Sequence, residues 1–235
     1  MHDFAEAFRL AFSLVLSGDS DLLEIVVLSL RVSLTAIAIA SLISLPLGAW
    51  LATTRFRGRG ALIIIVNALM GLPPVVVGLL VYLHLSRAGP LGSFGLLYTP
   101  TAMIIAQTLL VAPIVTALCR QVIEDLHTEY DEQFRSLCLT RGQTIRALLW
   151  DGRFALVTVA LAGFGRAIAE VGAVIIVGGN IDHLTRVMTT AIALETSKGD
   201  LPLALALGLI LLMIALSVNA VAMSLRSREP KLSHV

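Results

Sequence analysis

Apolar residues run along this chain in blocks too long for the core of a water-soluble domain. Positions 32–54, 88–119 and 201–225 contain no Asp, Glu, Lys, Arg or His, and 60–85 contains only His84 near one end. A bilayer core about 30 Å thick takes about 20 mostly apolar residues per helix. The helices of a soluble core usually run about 10–14 residues and keep a polar face. The pattern therefore predicts an all-α, polytopic membrane protein with about five spans, at 22–51, 61–85, 100–119, 154–177 and 201–225.

Between the spans lie segments of different character. The second span is interrupted at Gly71-Leu72-Pro73-Pro74, and Gly78 follows. A Gly/Pro-rich loop covers 87–99, and a polar loop covers 178–200. The one long hydrophilic stretch is 120–153, where Leu126, Tyr130, Phe134 and Leu148 alternate with Glu129, Glu132, Arg135 and Arg141. It reads as two short amphipathic helices with a break near 140–142, either a docking surface for a partner or a solvated connector. Segment 1–21 repeats Phe4, Ala7, Phe8, Ala11 and Phe12 at helical spacing. It is too short to cross, and suits a helix in the outer interface or a frayed terminus. Segment 226–235 forms a short tail.

Charge then orients the chain. Lys and Arg number three in loop 53–60, five in 120–153 and three in the tail, eleven on one side. The other side has four: Arg9, Arg87, Arg186 and Lys198. The positive-inside rule puts the richer side in the cytoplasm, so the N-terminus is expected outside and the C-terminus inside, in the cytoplasmic (inner) membrane of a prokaryote.

Composition also excludes function classes. Only 14% of residues are charged, against about 25% in soluble domains. The formal net charge is +1 with no basic tract, so no nucleic-acid partner is expected. The two cysteines, Cys119 and Cys138, are too few for a disulfide framework. No basic start marks a signal peptide. No Gly-x-x-x-x-Gly-Lys-Ser/Thr loop, nucleophile elbow or metal-binding motif is present, and the five histidines are scattered. We expect no cofactor, no metal, no catalytic residue and no ATP site, so energy must come from another subunit or a gradient.

The fourth span carries the strongest chemistry. Ala162, Gly165, Ala169 and Gly172 share one face, which lets a second helix approach closely. Arg166 and Glu170 are one helical turn apart. Arg166 lies about twelve residues, roughly 18 Å, from the cytoplasmic end, where a charge must find a partner or water. The pair either lines a pore or clamps the bundle. The Pro73-Pro74 break could expose backbone N–H groups at depth, and Gly178-Gly179-Asn180 could form an anion-binding concavity at the outer mouth. Pro113, near Gln107 and Thr108, is either a similar break or an ordinary kink.

Two stretches resemble a known family. Segment 132–151 is similar to the cytoplasmic docking loop of ABC-importer permeases, with Glu132 on the conserved-pattern Glu and Leu148 on its Ile. Gln133, Phe134, Cys138 and Trp150-Asp151 depart from that pattern. Gly163-Phe164-Gly165-Arg166-Ala167-Ile168-Ala169-Glu170-Val171-Gly172-Ala173, followed by Gly178-Gly179-Asn180-Ile181, resembles the permeases for molybdate, sulfate and tungstate. With segment 186–195 it is most like the tungstate branch. The resemblance implies a type I importer fold over 22–225 and a pore built from two copies of the chain. It also implies two separate ATPase subunits and an external oxyanion-binding protein. Glu132, Arg135, Thr140, Arg141 and Gln143 lie in the segment then expected at the ATPase, and the charge and breaks described above put Pro73, Pro74, Arg166, Glu170, Gly178, Gly179 and Asn180 along the expected path. Molybdate or sulfate is the alternative cargo. A gradient-driven transporter and a membrane-embedded enzyme are the rival classes.

Overall fold

The computed structural model describes residues 2–226, with side chains at 8–16 and 18–225; the tail at 227–235 lies outside the described residues. It contains ten α-helices in the order α1 (His2–Ser17), α2 (Ser20–Thr53), α3 (Arg59–Met70), α4 (Pro74–Leu85), α5 (Pro100–Ser136), α6 (Arg141–Asp151), α7 (Arg153–Ile168), α8 (Gly172–Gly178), α9 (Met188–Lys198) and α10 (Leu201–Arg226). No strand occurs among the described residues. Three helices, α2, α5 and α10, are each long and apolar enough to cross a membrane. By length and composition alone, the bent pairs α3–α4 and α6–α7 would raise the number to as many as five if each pair were one span.

The bundle is organised on α2 and α5. Asp19 starts α2, its carboxylate accepting from the N–H groups of Asp21 (3.0 Å) and Leu22 (3.1 Å). Thr99 and Pro100 start α5 in the same spirit, a hydroxyl cap followed by a proline at the first helical position. The two helices pack without an intervening side chain at Gly48, where a Cβ would lie 2.8 Å from the Thr116 carbonyl oxygen. Ser44 adds a hydrogen bond to the Ala112 carbonyl at 3.0 Å. Small residues and short hydroxyl bonds of this kind hold helices together where lipid removes the hydrophobic drive. Over their most apolar stretches α5 is 56% buried and α10 only 17%. α5 is thus the central post and α10 an outer stave of the bundle.

Three elements differ from what the sequence pattern predicts. The hydrophilic stretch is not two short helices: its first half, 120–136, is the continuation of α5. Helix hydrogen bonds are internal, so the helix need not stop where its side chains leave the apolar layer. The fourth span is not continuous, since α7 ends at Ile168 and α8 begins at Gly172. The polar loop 178–200 contains a whole helix, α9. Segment 1–21 is helical through α1; its Ala11 is fully buried in the cluster that holds Ala206 and Leu207 of α10, while Phe8, Phe12 and Leu16 stay exposed.

Candidate translocation path and docking loop

Two broken helices meet at the middle of the bundle. Pro73 and Pro74 cannot donate, so α3 ends at Met70, and α4 sets off at 98° from Pro74. The second break lies between α7 and α8, at Ala169-Glu170-Val171. The starts of α4 and α8 touch: a Cβ on Gly172 would lie 2.9 Å from Val75 Cγ2. A Cβ on Gly78 would lie 2.7 Å from Ala173 Cα and 3.1 Å from its oxygen. Glycine is needed at Gly78 because backbone, not a flexible side chain, occupies the space; at Gly172 the neighbour is the Val75 side chain.

Glu170 is the hub of this junction. Its carboxylate pairs with the Arg166 guanidinium through one oxygen and accepts from the Ala173 N–H through the other at 3.3 Å. Its own carbonyl accepts from the Thr189 hydroxyl at 2.8 Å. Gln107 of α5 donates to the Ala167 carbonyl at 3.0 Å, adding a side-chain bond to an acceptor that the Glu170 N–H also reaches at 3.1 Å. The carboxylate thus carries the negative charge favoured at the start of α8. The contact of Gly172 with Val75 sets Glu170 beside the first turn of α4, next to Pro73 and Pro74, and Arg166 is joined to it through the ion pair. Gln107 and Thr189, the polar supports of the break, were not singled out as site residues from the sequence; Gln107 was noted only beside Pro113.

Gly178, Gly179 and Asn180 lie at the far end of α8, separated from Glu170 by the length of that helix, about 10 Å. Gly179 closes α8 in the left-handed region (φ 74°) and donates its N–H to the Ile175 carbonyl at 2.9 Å. That N–H is consequently spent inside the fold. Around it the Thr185 hydroxyl donates to the Gly178 carbonyl at 2.6 Å, and Tyr98 N–H donates to the Val177 carbonyl at 2.9 Å. A Cβ on Gly179 would lie 2.9 Å from the Tyr98 ring. Asn180 donates to the Thr190 carbonyl at 3.4 Å and leaves its buried amide oxygen without a partner. Nearby, His183 meets Glu24 at 2.9 Å, and that carboxylate raises the imidazole pKa above its usual 6.5.

The docking-loop residues gather at the other end of α7. Glu132 is exposed on the last turns of α5. Arg135, exposed beside it, pairs with Asp131 at 2.7 Å. The chain then reverses through Cys138 (φ 52°) into α6. Thr140 N–H donates to Gln143 Oε1 at 2.9 Å, which fixes the entry to α6, and Arg141 stands exposed on its first turn. Buried Leu148, with Ile145 and Leu149, seats α6 against Tyr130 and Phe134. The Asp151 carboxylate, hydrogen-bonded to Tyr130, pushes that phenol up and ties α6 to α5. The hairpin keeps two large apolar side chains outward, Leu137 at 62% and Trp150 at 72% exposure. The sequence marked Trp150 only as a departure from the docking-loop pattern, and neither residue as a site residue. No group of three His, Cys, Asp or Glu side chains among the described residues could hold a metal ion.

The chain matches the family model of the binding-protein-dependent transport system inner membrane components over residues 44–228. The chain belongs to this family. It is a membrane transport component, a permease of the type I ABC-importer fold, of the kind that works with ATPase and substrate-binding partners. The permease is 45% identical over 226 residues to the tungstate uptake system permease protein TupB of Peptoclostridium acidaminophilum, covering 96% of this chain and 99% of that one. It is 37% identical over 195 residues to TupB of Campylobacter jejuni, covering 83% and 82%. It is 32% identical over 190 residues to the sulfate transport system permease protein CysT of Salmonella typhimurium, covering 76% and 69%.

Proposed function

We propose that this permease imports tungstate across the cytoplasmic membrane. The observation that carries the reading is its 45% identity, over nearly the full length of both chains, to a permease named for tungstate uptake. Two copies form the pore around a two-fold axis, because five spans enclose a gated path poorly and closed symmetric dimers are the commonest assembly. Two separate ATPases dock on the cytoplasmic hairpins at Glu132, Arg135, Thr140, Arg141 and Gln143. The permease itself has no ATP site. An external binding protein delivers the anion at the mouth beside Gly178, Gly179 and Asn180. The N-terminus is outside and the C-terminus inside, as the Lys and Arg asymmetry argues.

Closure of the ATPases pushes on α6 and the end of α5, and the push reaches the junction of α4 with α8. There the anion passes Pro73, Pro74, Arg166 and Glu170. Glu170 already neutralises Arg166 in this conformation, so a dianion meets that cation only when the pair opens. That arrangement keeps binding in the path weak, as release inward requires.

The test is uptake into proteoliposomes by the permease with its ATPase and binding protein. ATP-dependent accumulation of tungstate in preference to molybdate and sulfate is expected. Preferential accumulation of sulfate would replace the reading with the second one, which the 32% identity to a sulfate permease supports.

A further inference from the structure

Where α2 and α5 reach the cytoplasmic edge, they enclose a polar cavity of about 390 Å³ lined in part by Thr53, Arg55, Arg59, Glu124, His127 and Arg135. Its charges do not balance. Arg59 and Arg120 share the single carboxylate of Glu124, Arg59 at 3.0 Å. Arg135 takes Asp131, and Arg55 has no ion pair among the described residues. Three lining guanidiniums, Arg55, Arg59 and Arg135, face two carboxylates, Glu124 and Asp131, and Arg120 reaches Glu124 from outside the lining. The rim adds a buried ring nitrogen, Nδ1 of His127, that has no partner. Arg59 is held in place by a second bond, from its Nε to the Leu51 carbonyl at 2.8 Å. The surplus thus rests on Arg55, exposed and without an ion pair, beside an Arg59 already fixed in position.

The depth of the cavity selects its ligand. The stretch without charged residues ends at Thr54, one residue before the first lining arginine. Trp50 and Phe56 stack at 4.9 Å on either side of that boundary, each partly exposed, as aromatic anchors at a headgroup layer do. Next to it α3 has no buried residue, and Ile64 and Ile65 are more than half exposed. A soluble anion would use the arginines and ignore that apolar wall; a phospholipid uses both, its phosphate in the cavity and its chains along α3. We propose that this cavity binds the phosphate of an anionic phospholipid of the inner leaflet. Basic pockets between helices on the cytoplasmic side suit such headgroups. The leaflet, but not the binding, rests on the orientation proposed above.

The test uses the transporter with its ATPase, stripped of lipid in detergent and titrated with phosphatidylglycerol or phosphatidylcholine, with bound lipid counted by native mass spectrometry. Phosphatidylglycerol should bind in preference to phosphatidylcholine. Arg55→Gln should weaken it about five-fold, the factor for about 1 kcal/mol per cation near an anionic surface. Arg55→Lys should keep most of the binding, and Arg57→Gln, which removes the same charge outside the cavity lining, should leave it intact. Equal losses in Arg55→Gln and Arg57→Gln would reduce the effect to general surface charge and overturn the site. Displacement of the lipid by millimolar inorganic phosphate would overturn it in favour of a soluble anion. Detergent binding does not depend on which way the chain crosses, so a wrong orientation, read by labelling at position 57, would fail separately.

Discussion

The side chain of Glu170 is 4% exposed, while the Arg166 side chain paired with it is 38% exposed. The two ends of this ion pair therefore respond differently to loss of the other. Arg166→Met strands a buried carboxylate, a change of about 3–5 kcal/mol. Glu170→Gln leaves a guanidinium that reaches water and an amide oxygen that can still accept from Ala173 N–H, a loss of about 1 kcal/mol. Thermal inactivation in detergent should rank them in that order. The double variant should regain stability yet transport poorly, because a dianion path has lost its cation; normal uptake by the double variant would leave the pair as a clamp only.

Contact between α4 and α8 is set by backbone. Gly78→Ala would place a methyl against Ala173 Cα and oxygen, so it should destabilise the junction by about 1–3 kcal/mol. Ala173→Gly removes neither of those atoms. Failure of Ala173→Gly to rescue Gly78→Ala, measured as uptake and thermal stability, is the expected result.

Charge reversal on the hairpin separates folding from coupling. Glu132 and Arg135 are exposed and support no buried contact. Glu132→Lys and Arg135→Glu should leave the permease folded while ATP hydrolysis continues without transport. A complex with the ATPase that survives deletion of 128–145 would refute the docking assignment.

Orientation has its own experiment. With the exposed Cys138 replaced, Lys198→Cys should label in intact cells and Arg57→Cys only after permeabilisation. The replacement of choice is Cys138→Gly. Cys138 sits at φ 52°, where a side chain costs about 1–2 kcal/mol and glycine costs about 0.4–1 kcal/mol in unfolded-chain entropy. The glycine variant should be about 0.5 kcal/mol more stable, and Cys138→Val clearly less stable.

His183 and Glu24 join the outer loop to the start of α2, and the raised imidazole pKa gives that joint a direction in pH. The folded value lies above the unfolded one near 6.5. The contribution is thus complete below pH 6.5 and lost as pH rises through the folded value. The stability difference between the natural chain and His183→Gln should shrink across that window. A difference that stays constant with pH would remove the ion pair from the account.

How far residues alone reveal this fold depends on the kind of constraint. The spans were legible because a bilayer demands length and apolarity together. The 71–74 break was legible because two prolines cannot donate. The break at Glu170 was not, since Arg166 and Glu170 one turn apart read as one uninterrupted helix. Only the close approach at Gly78 and Gly172, a tertiary contact, reveals why the chain opens there. α9 was hidden because Thr189, Thr190 and Thr196 blur its apolar period. The docking residues came from a motif, but Tyr130, Asp151 and Leu148, which seat the hairpin, are visible only once α6 folds back.

The length of α5 has a mechanical consequence. Its 37 residues form one continuous helix with Pro113 inside it, about 55 Å long, longer than the apolar layer is thick, with one end beside the 178–200 loop and the other in the hairpin. Such a helix is a lever with its fulcrum inside the bilayer. A tilt of 10° about its midpoint would swing each tip by about 5 Å, in opposite directions. One stroke at the hairpin then narrows one entrance while it widens the other, and no relay of small side-chain shifts is needed between them.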